Sequence, residues 1–156
     1  VEKGFKDCLS NGVLGGFPMT GLKVTLNDGS FHPVDSDQLS FELAALNAYK
    51  NGCPKAGPVL MEPIMKLEIT VPESFVGAVM GDMPNRRGMV LGMDSTHSGT
   101  VLHAEAPQAE LFDYAIALRS MTQARGSFEM EFEKYEEVPH AIAQKIIDDY
   151  KKSQEA

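Results

Sequence analysis

Beyond residue 60 the apolar residues change period in a fixed order, and that order admits few folds. Met65, Leu67, Ile69 and Val71 alternate with Lys66, Glu68 and Thr70, the two-residue period of a strand with one buried face. Phe75, Val76, Val79, Met80 and Met83 then share one face of a helix. Met89, Leu91 and Met93 give a second strand, and Ser98-Gly99 turns into a third, where Leu102, Ala104 and Ala106 face away from Val101, His103 and Glu105. Leu111, Phe112, Ala115 and Leu118 form a second helical stripe. Phe128, Met130 and Phe132 alternate with Glu129, Glu131 and Glu133 as a fourth strand, and Ile142, Ile146 and Tyr150 mark a terminal helix. Strand–helix–strand–strand–helix–strand is the split βαβ, ferredoxin-like order: an antiparallel sheet with two helices on one face.

The stretch Gly52-Cys53-Pro54-Lys55-Ala56-Gly57-Pro58 precedes this pattern. Its prolines and glycines interrupt regular structure and place a boundary near residue 60, dividing the chain into 1–60 and 61–156. Within 1–60, residues 1–11 read as the tail of a helix closed by Asn11-Gly12. Leu22, Val24 and Leu26 alternate as a strand ended by Asp28-Gly29. Asp35 with Gln38 resembles a capping box for a helix carrying Leu39, Leu43, Leu46 and Tyr49, which Gly52 stops. One strand makes no sheet alone, so an exposed sheet edge is expected here. The whole is expected to be α+β.

Composition narrows the chemistry. The chain has 156 residues, 43% of them hydrophobic, and a net charge of −8, enough apolar content to bury a core. Residues 1–60 hold five lysines against six carboxylates, and residues 61–156 hold nine basic against sixteen acidic groups. Such acidity argues against indiscriminate binding to nucleic acid. No stretch approaches the roughly 20 apolar residues of a membrane helix. Cys8 and Cys53 are too few for a disulfide framework, and His32, His97, His103 and His140 show no metal-ligand spacing. Neither GxxxxGK[ST] nor GxGxxG occurs, Gly12–Gly16 reads as a turn, and no GxSxG elbow is present. No catalytic residue and no metal or cofactor ligand is assigned. Glu129, Glu131 and Glu133 read as a solvated sheet face.

Two features point elsewhere. His32 sits between a strand and a helix beside Phe31; it is either an exposed turn histidine or part of a tip that touches RNA, where rings stack on unpaired bases. All four arginines, Arg86, Arg87, Arg119 and Arg125, fall within forty residues. They are either solvated surface charge or a local patch of forked phosphate donors.

Long runs carry a resemblance: "DGSFHPVDSDQLSFELAA" (28–45), "VLMEPIMKLEITVPESFVGAVMGD" (59–82), "NRRGMVLGMD" (85–94) and "AELFDYAIALRSMTQARGSFEMEFEKYEEVP" (109–139). The chain resembles the C-terminal region of elongation factor G, a ribosomal translocase GTPase. It departs from that pattern at Asp113 and Ala124, where the family usually has glycine, and at Pro84. The resemblance implies that 1–60 is the C-terminal part of domain IV, a ribosomal-protein-like βαβ fold, and that 61–156 is the ferredoxin-like domain V. It further implies a cytoplasmic, ribosome-binding protein that promotes GTP-dependent movement of tRNA and mRNA. Ser30, Phe31, His32, Asp35 and Ser36 would form the tip loop in the decoding centre. Arg86, Arg87, Arg119 and Arg125 would meet ribosomal RNA, the stalk-base protein or other domains of the parent chain. GTP and magnesium would belong to a preceding domain, so this stretch is expected to be non-catalytic. A ribosomal protection or recycling paralogue is the alternative within the family, and a ferredoxin-like small-molecule-binding regulatory domain is the alternative of another class.

Overall fold

The computed structural model describes residues 1–156. Contacts divide the chain into two units, one of Val1–Leu60 with Val138–Ala156 and one of Met61–Glu137. The first unit holds helices α1 (Glu2–Cys8), α2 (Gln38–Gly52) and α5 (His140–Glu155). The sequence order sets the terminal helix after the ferredoxin-like module, whereas its contacts group it with residues 1–60.

The second unit has the order expected from its periodicity. Strand β1 (Met61–Val71) is followed by a 3-10 turn and helix α3 (Val76–Asp82), then by β2 (Met89–Thr96) and β3 (Gly99–Pro107). Helix α4 (Tyr114–Met121) and β4 (Ser127–Glu137) complete it. The sheet runs β2-β3-β1-β4 and is antiparallel throughout. Met65, Leu67, Ile69 and Val71 of β1 are buried with Leu102, Ala104 and Ala106 of β3, under Val79, Met83, Leu111, Tyr114 and Leu118. Both helices cover the two central strands, which is why the alternation reads true there and fails at the edges. Met89, Leu91 and Met93 are exposed, and the residue of β2 that packs on the core is Val90, opposite buried Ala104; a bulge between Val90 and Gly92 shifts the register beyond it. On β4, Phe128 joins the core while Met130 and Phe132 remain exposed beyond the helix layer.

Helix α4 also corrects its expected stripe. Phe112 is 85% exposed, and Tyr114 fills the core in its place, edge-on to Phe128 at 5.0 Å. The helix starts only at Tyr114, so Phe112 lies ahead of its first turn and outside the stripe.

In the first unit, a Cβ at Gly4 would come within 2.9 Å of the Ala45 Cβ, so glycine permits the close crossing of α1 and α2. Cys8, Tyr49 and Cys53 form a small core, and the Tyr49 hydroxyl donates to the Asn11 carbonyl at 3.0 Å. Several local expectations are overturned. Residues 22–26 form no strand, because no second strand lies alongside to complete a ladder, and Leu26 is 69% exposed. The cap of α2 is Asp37, whose carboxylate accepts from the Ser40 N–H at 2.7 Å, in place of Asp35. Leu39 and Leu43 are exposed while Ala45 and Tyr49 are buried, since α2 turns its small-residue face to α1. As expected, α2 ends at Gly52, and a 3-10 turn over Cys53–Ala56 follows it to Gly57, whose φ is 73°.

The Tyr114 hydroxyl is fully buried without a hydrogen-bond partner, and burial pushes its pKa upward. An unpaired buried hydroxyl costs about 1–3 kcal/mol. Tyr114→Phe is therefore expected to raise stability by about 1 kcal/mol in urea unfolding; a loss of stability would show that the hydroxyl has a partner.

Candidate functional site

The loop before α2 is held by its own polar side chains. The His32 N–H donates to Ser36 Oγ at 2.8 Å, and the Ser36 N–H returns a bond to the His32 carbonyl at 3.0 Å. The Val34 N–H reaches His32 Nδ1 at 3.3 Å, and the same nitrogen lies 3.2 Å from Asp35 Oδ2. Ser40 Oγ lies 3.0 Å from the Asp35 carbonyl and 2.7 Å from Asp37 Oδ1, so its single proton is shared between the loop and the cap of α2. Bonds from the Ser40 backbone and then its hydroxyl hold the Asp37 carboxyl below its usual value. Serine and aspartate suit such a loop because their short side chains bond neighbouring backbone groups. Phe31, His32 and Val34 are left exposed at its outer side. Ser30, Phe31, His32, Asp35 and Ser36 thus lie in one short loop, with His32 and Ser36 bonded to each other and Asp35 beside the His32 ring.

The four arginines divide into two kinds. Arg86 is only 11% exposed: its Nε meets Asp82 Oδ2 at 2.6 Å, and its Nη1 meets Asp113 Oδ1 at 2.7 Å and the Glu110 carbonyl at 2.8 Å. The guanidinium also lies 5.0 Å from the Tyr114 ring centroid. Arg87, at φ 54°, grips Glu62 bidentately at 2.7 and 3.0 Å and meets Glu110 Oε1 at 3.0 Å. These forks are committed to carboxylates inside the second unit. Arg119 and Arg125 are exposed and pair with no carboxylate. Arg125 lies 4.9 Å from the Phe75 ring centroid, and its Nη2 donates to Gln123 Oε1 at 3.1 Å.

The turn carrying Arg125 follows α4. Gln123 and Ala124 both adopt left-handed φ, 52° and 63°, a conformation glycine takes at lower cost. Thr122, fully buried, was not singled out by sequence reasoning. Its signal is a Thr four residues before a Gly at a helix end, where a hydroxyl can cap the turn. On the sheet face opposite the helices, His103 reaches Asp94 at 3.0 Å and Glu68 at 3.6 Å across three strands, a cluster visible only once the strands are paired. No three His, Cys, Asp or Glu side chains gather as a metal site. Cys8 and Cys53 are buried free thiols, and burial pushes the Cys53 thiol upward.

Losing one side of the Arg87 clamp strands Glu62 at 13% exposure. Arg87→Ala is expected to cost about 2–3 kcal/mol in chemical denaturation, and a cost below about 0.5 kcal/mol would contradict the clamp. The Arg86 hydrogen bond holds the Asp113 carboxyl below its usual value. That contribution is present above the unfolded carboxylate range near pH 4 and is lost as pH falls through the lower folded value. Melting temperature should therefore fall more steeply on acidification in the wild type than in Asp113→Asn.

Comparison with known proteins agrees with this architecture. Residues 1–57 match the family described as elongation factor G, domain IV, and residues 59–146 match that described as elongation factor G C-terminus. A crystal structure of a protein from Thermus thermophilus superposes with a TM-score of 0.86 at 42% identity, over 97% of this chain and 23% of that one. The chain thus spans under a quarter of that protein. Matched over both units and in order, the chain belongs to the elongation factor G family of translation factors.

Proposed function

We propose that this stretch is the ribosome-engaging end of a GTP-dependent translocase, with residues 1–60 as the C-terminal part of domain IV and 61–156 as domain V. In this reading the loop of Ser30, Phe31, His32, Asp35 and Ser36 enters the decoding centre, where Phe31 and His32 meet tRNA or mRNA bases. The observation that carries it is the loop itself: its polar groups bond one another, so its ring side chains face solvent from a braced backbone. Such bracing lowers the ordering cost of an RNA contact.

The second unit meets ribosomal RNA through Arg119 and Arg125, the two arginines without carboxylate partners, while Arg86 and Arg87 brace the unit internally. Two free guanidinium groups give an acidic chain a local phosphate-binding spot without a basic surface. GTP and its magnesium belong elsewhere in the parent protein, and this stretch transmits position mechanically in the cytoplasm.

The test uses the full-length protein on ribosomes. His32→Ala should leave ribosome-stimulated GTP hydrolysis unchanged and slow tRNA movement about tenfold or more. Wild-type hydrolysis without tRNA movement would overturn translocation in favour of protection or recycling. Arg119→Ala should weaken ribosome binding and lower the salt slope by about one; an unchanged slope would remove that contact.

A further inference from the structure

Thr122 is a hydroxyl residue wholly shut away from solvent, at 0% exposure. Its bonding is nonetheless complete. Oγ1 donates to the Leu118 carbonyl at 2.7 Å and accepts from the Gly126 N–H at 2.9 Å. Those two bonds clamp the end of α4 to the start of β4 across Gln123, Ala124 and Arg125. The backbone adds an Ala124 N–H to Arg119 carbonyl bond at 2.8 Å and an Arg125 N–H to Thr122 carbonyl bond at 3.0 Å. Gly126 is fitted to the same clamp: a Cβ there would lie 2.9 Å from both Thr122 Oγ1 and Cγ2.

A turn held this firmly, through two left-handed non-glycine residues, has one evident product. It carries Arg125 to the surface beside the Phe75 ring, with Gln123 bonded to its guanidinium. A free arginine samples many rotamers, and an anion that binds it must restrict them; a guanidinium already stacked and bonded loses less freedom on binding. Arg125 is exposed, and no carboxylate answers its charge. The clamp therefore orders a cation that no carboxylate neutralises.

We infer that Thr122 is a positioning residue for Arg125, holding its guanidinium ready for a phosphate of RNA. This rests on the proposed contact between this turn and ribosomal RNA. Valine has the shape of threonine without the hydroxyl, so Thr122→Val removes both bonds, while Thr122→Ser retains them.

A double-mutant cycle on the full-length factor separates the possibilities. The dissociation constant for ribosomes, with a non-hydrolysable GTP analogue, is measured for Thr122→Val, Thr122→Ser, Arg125→Ala and the Thr122→Val/Arg125→Ala pair. Arg125→Ala is expected to weaken binding about tenfold. Thr122→Val should weaken it about threefold in the wild-type background and not at all beside Arg125→Ala, because the two act as one unit. Thr122→Ser should restore wild-type affinity. If Arg125→Ala leaves affinity unchanged, the RNA contact itself fails at this turn. If Arg125→Ala weakens binding while Thr122→Val does nothing, or adds equally in both backgrounds, the contact stands and the positioning role is overturned. Should Thr122→Val not fold, Gly126→Ala opens the same clamp from its other side, and the same non-additivity with Arg125→Ala is expected.

Discussion

Strand β1 is the element on which the second unit depends. It lies between β3 and β4, pairs with both over most of its length, and sends Met65, Leu67, Ile69 and Val71 into the core. Those four residues meet both helices, so burying them fixes the sheet order and the face on which α3 and α4 lie. Everything of functional interest in this unit hangs from the margins of that packing. The Arg86–Arg87 cluster follows α3, and the Thr122–Arg125 turn follows α4. The helices themselves are seven and eight residues long, too short to persist without a sheet beneath them.

Electrostatics then assigns different work to chemically identical side chains. Arg86 and Arg87 are partly buried, and desolvation would oppose their charge unless carboxylates answered it. Asp82, Asp113, Glu62 and Glu110 supply that answer. Asp113 supplies one of the Arg86 ligands from the residue just before α4. Arg119 and Arg125 stay in solvent, where charge costs little and an anion can reach it. An acidic protein can thus keep guanidinium groups that no carboxylate pairs.

Much of this was legible in the residues. The order of elements after residue 60 follows from helical and strand periods, and the central strands follow theirs from Met65 to Val71 and from Thr100 to Ala106, where helices cover them. The edge strands lose the burial, and β2 also loses the expected alternation, since Val90 packs on the core while Met89, Leu91 and Met93 are exposed. Residues 22–26 have a strand pattern and form no strand, since pairing is a property of a neighbour and not of the segment. The arginines were legible as a cluster, but not their division. That division depends on Glu62, 25 residues before Arg87, and on Asp113, 27 residues after Arg86. Thr122 escaped notice for a related reason: a lone threonine has no period, and its burial appears only when α4 and β4 close on it.

In the proposed reading the braced His32 loop and the free arginines face RNA while Arg86 and Arg87 serve the fold. A cryo-electron microscopy structure of the full-length factor on the ribosome tests it most directly. Phe31 and His32 are expected against tRNA or mRNA in the decoding centre. Arg119 and Arg125 are also expected within hydrogen-bond distance of ribosomal RNA phosphates, with Arg86 and Arg87 still bound to Asp82, Asp113, Glu62 and Glu110. Arg86 and Arg87 released onto RNA, with Arg119 and Arg125 in open solvent, would contradict this reading.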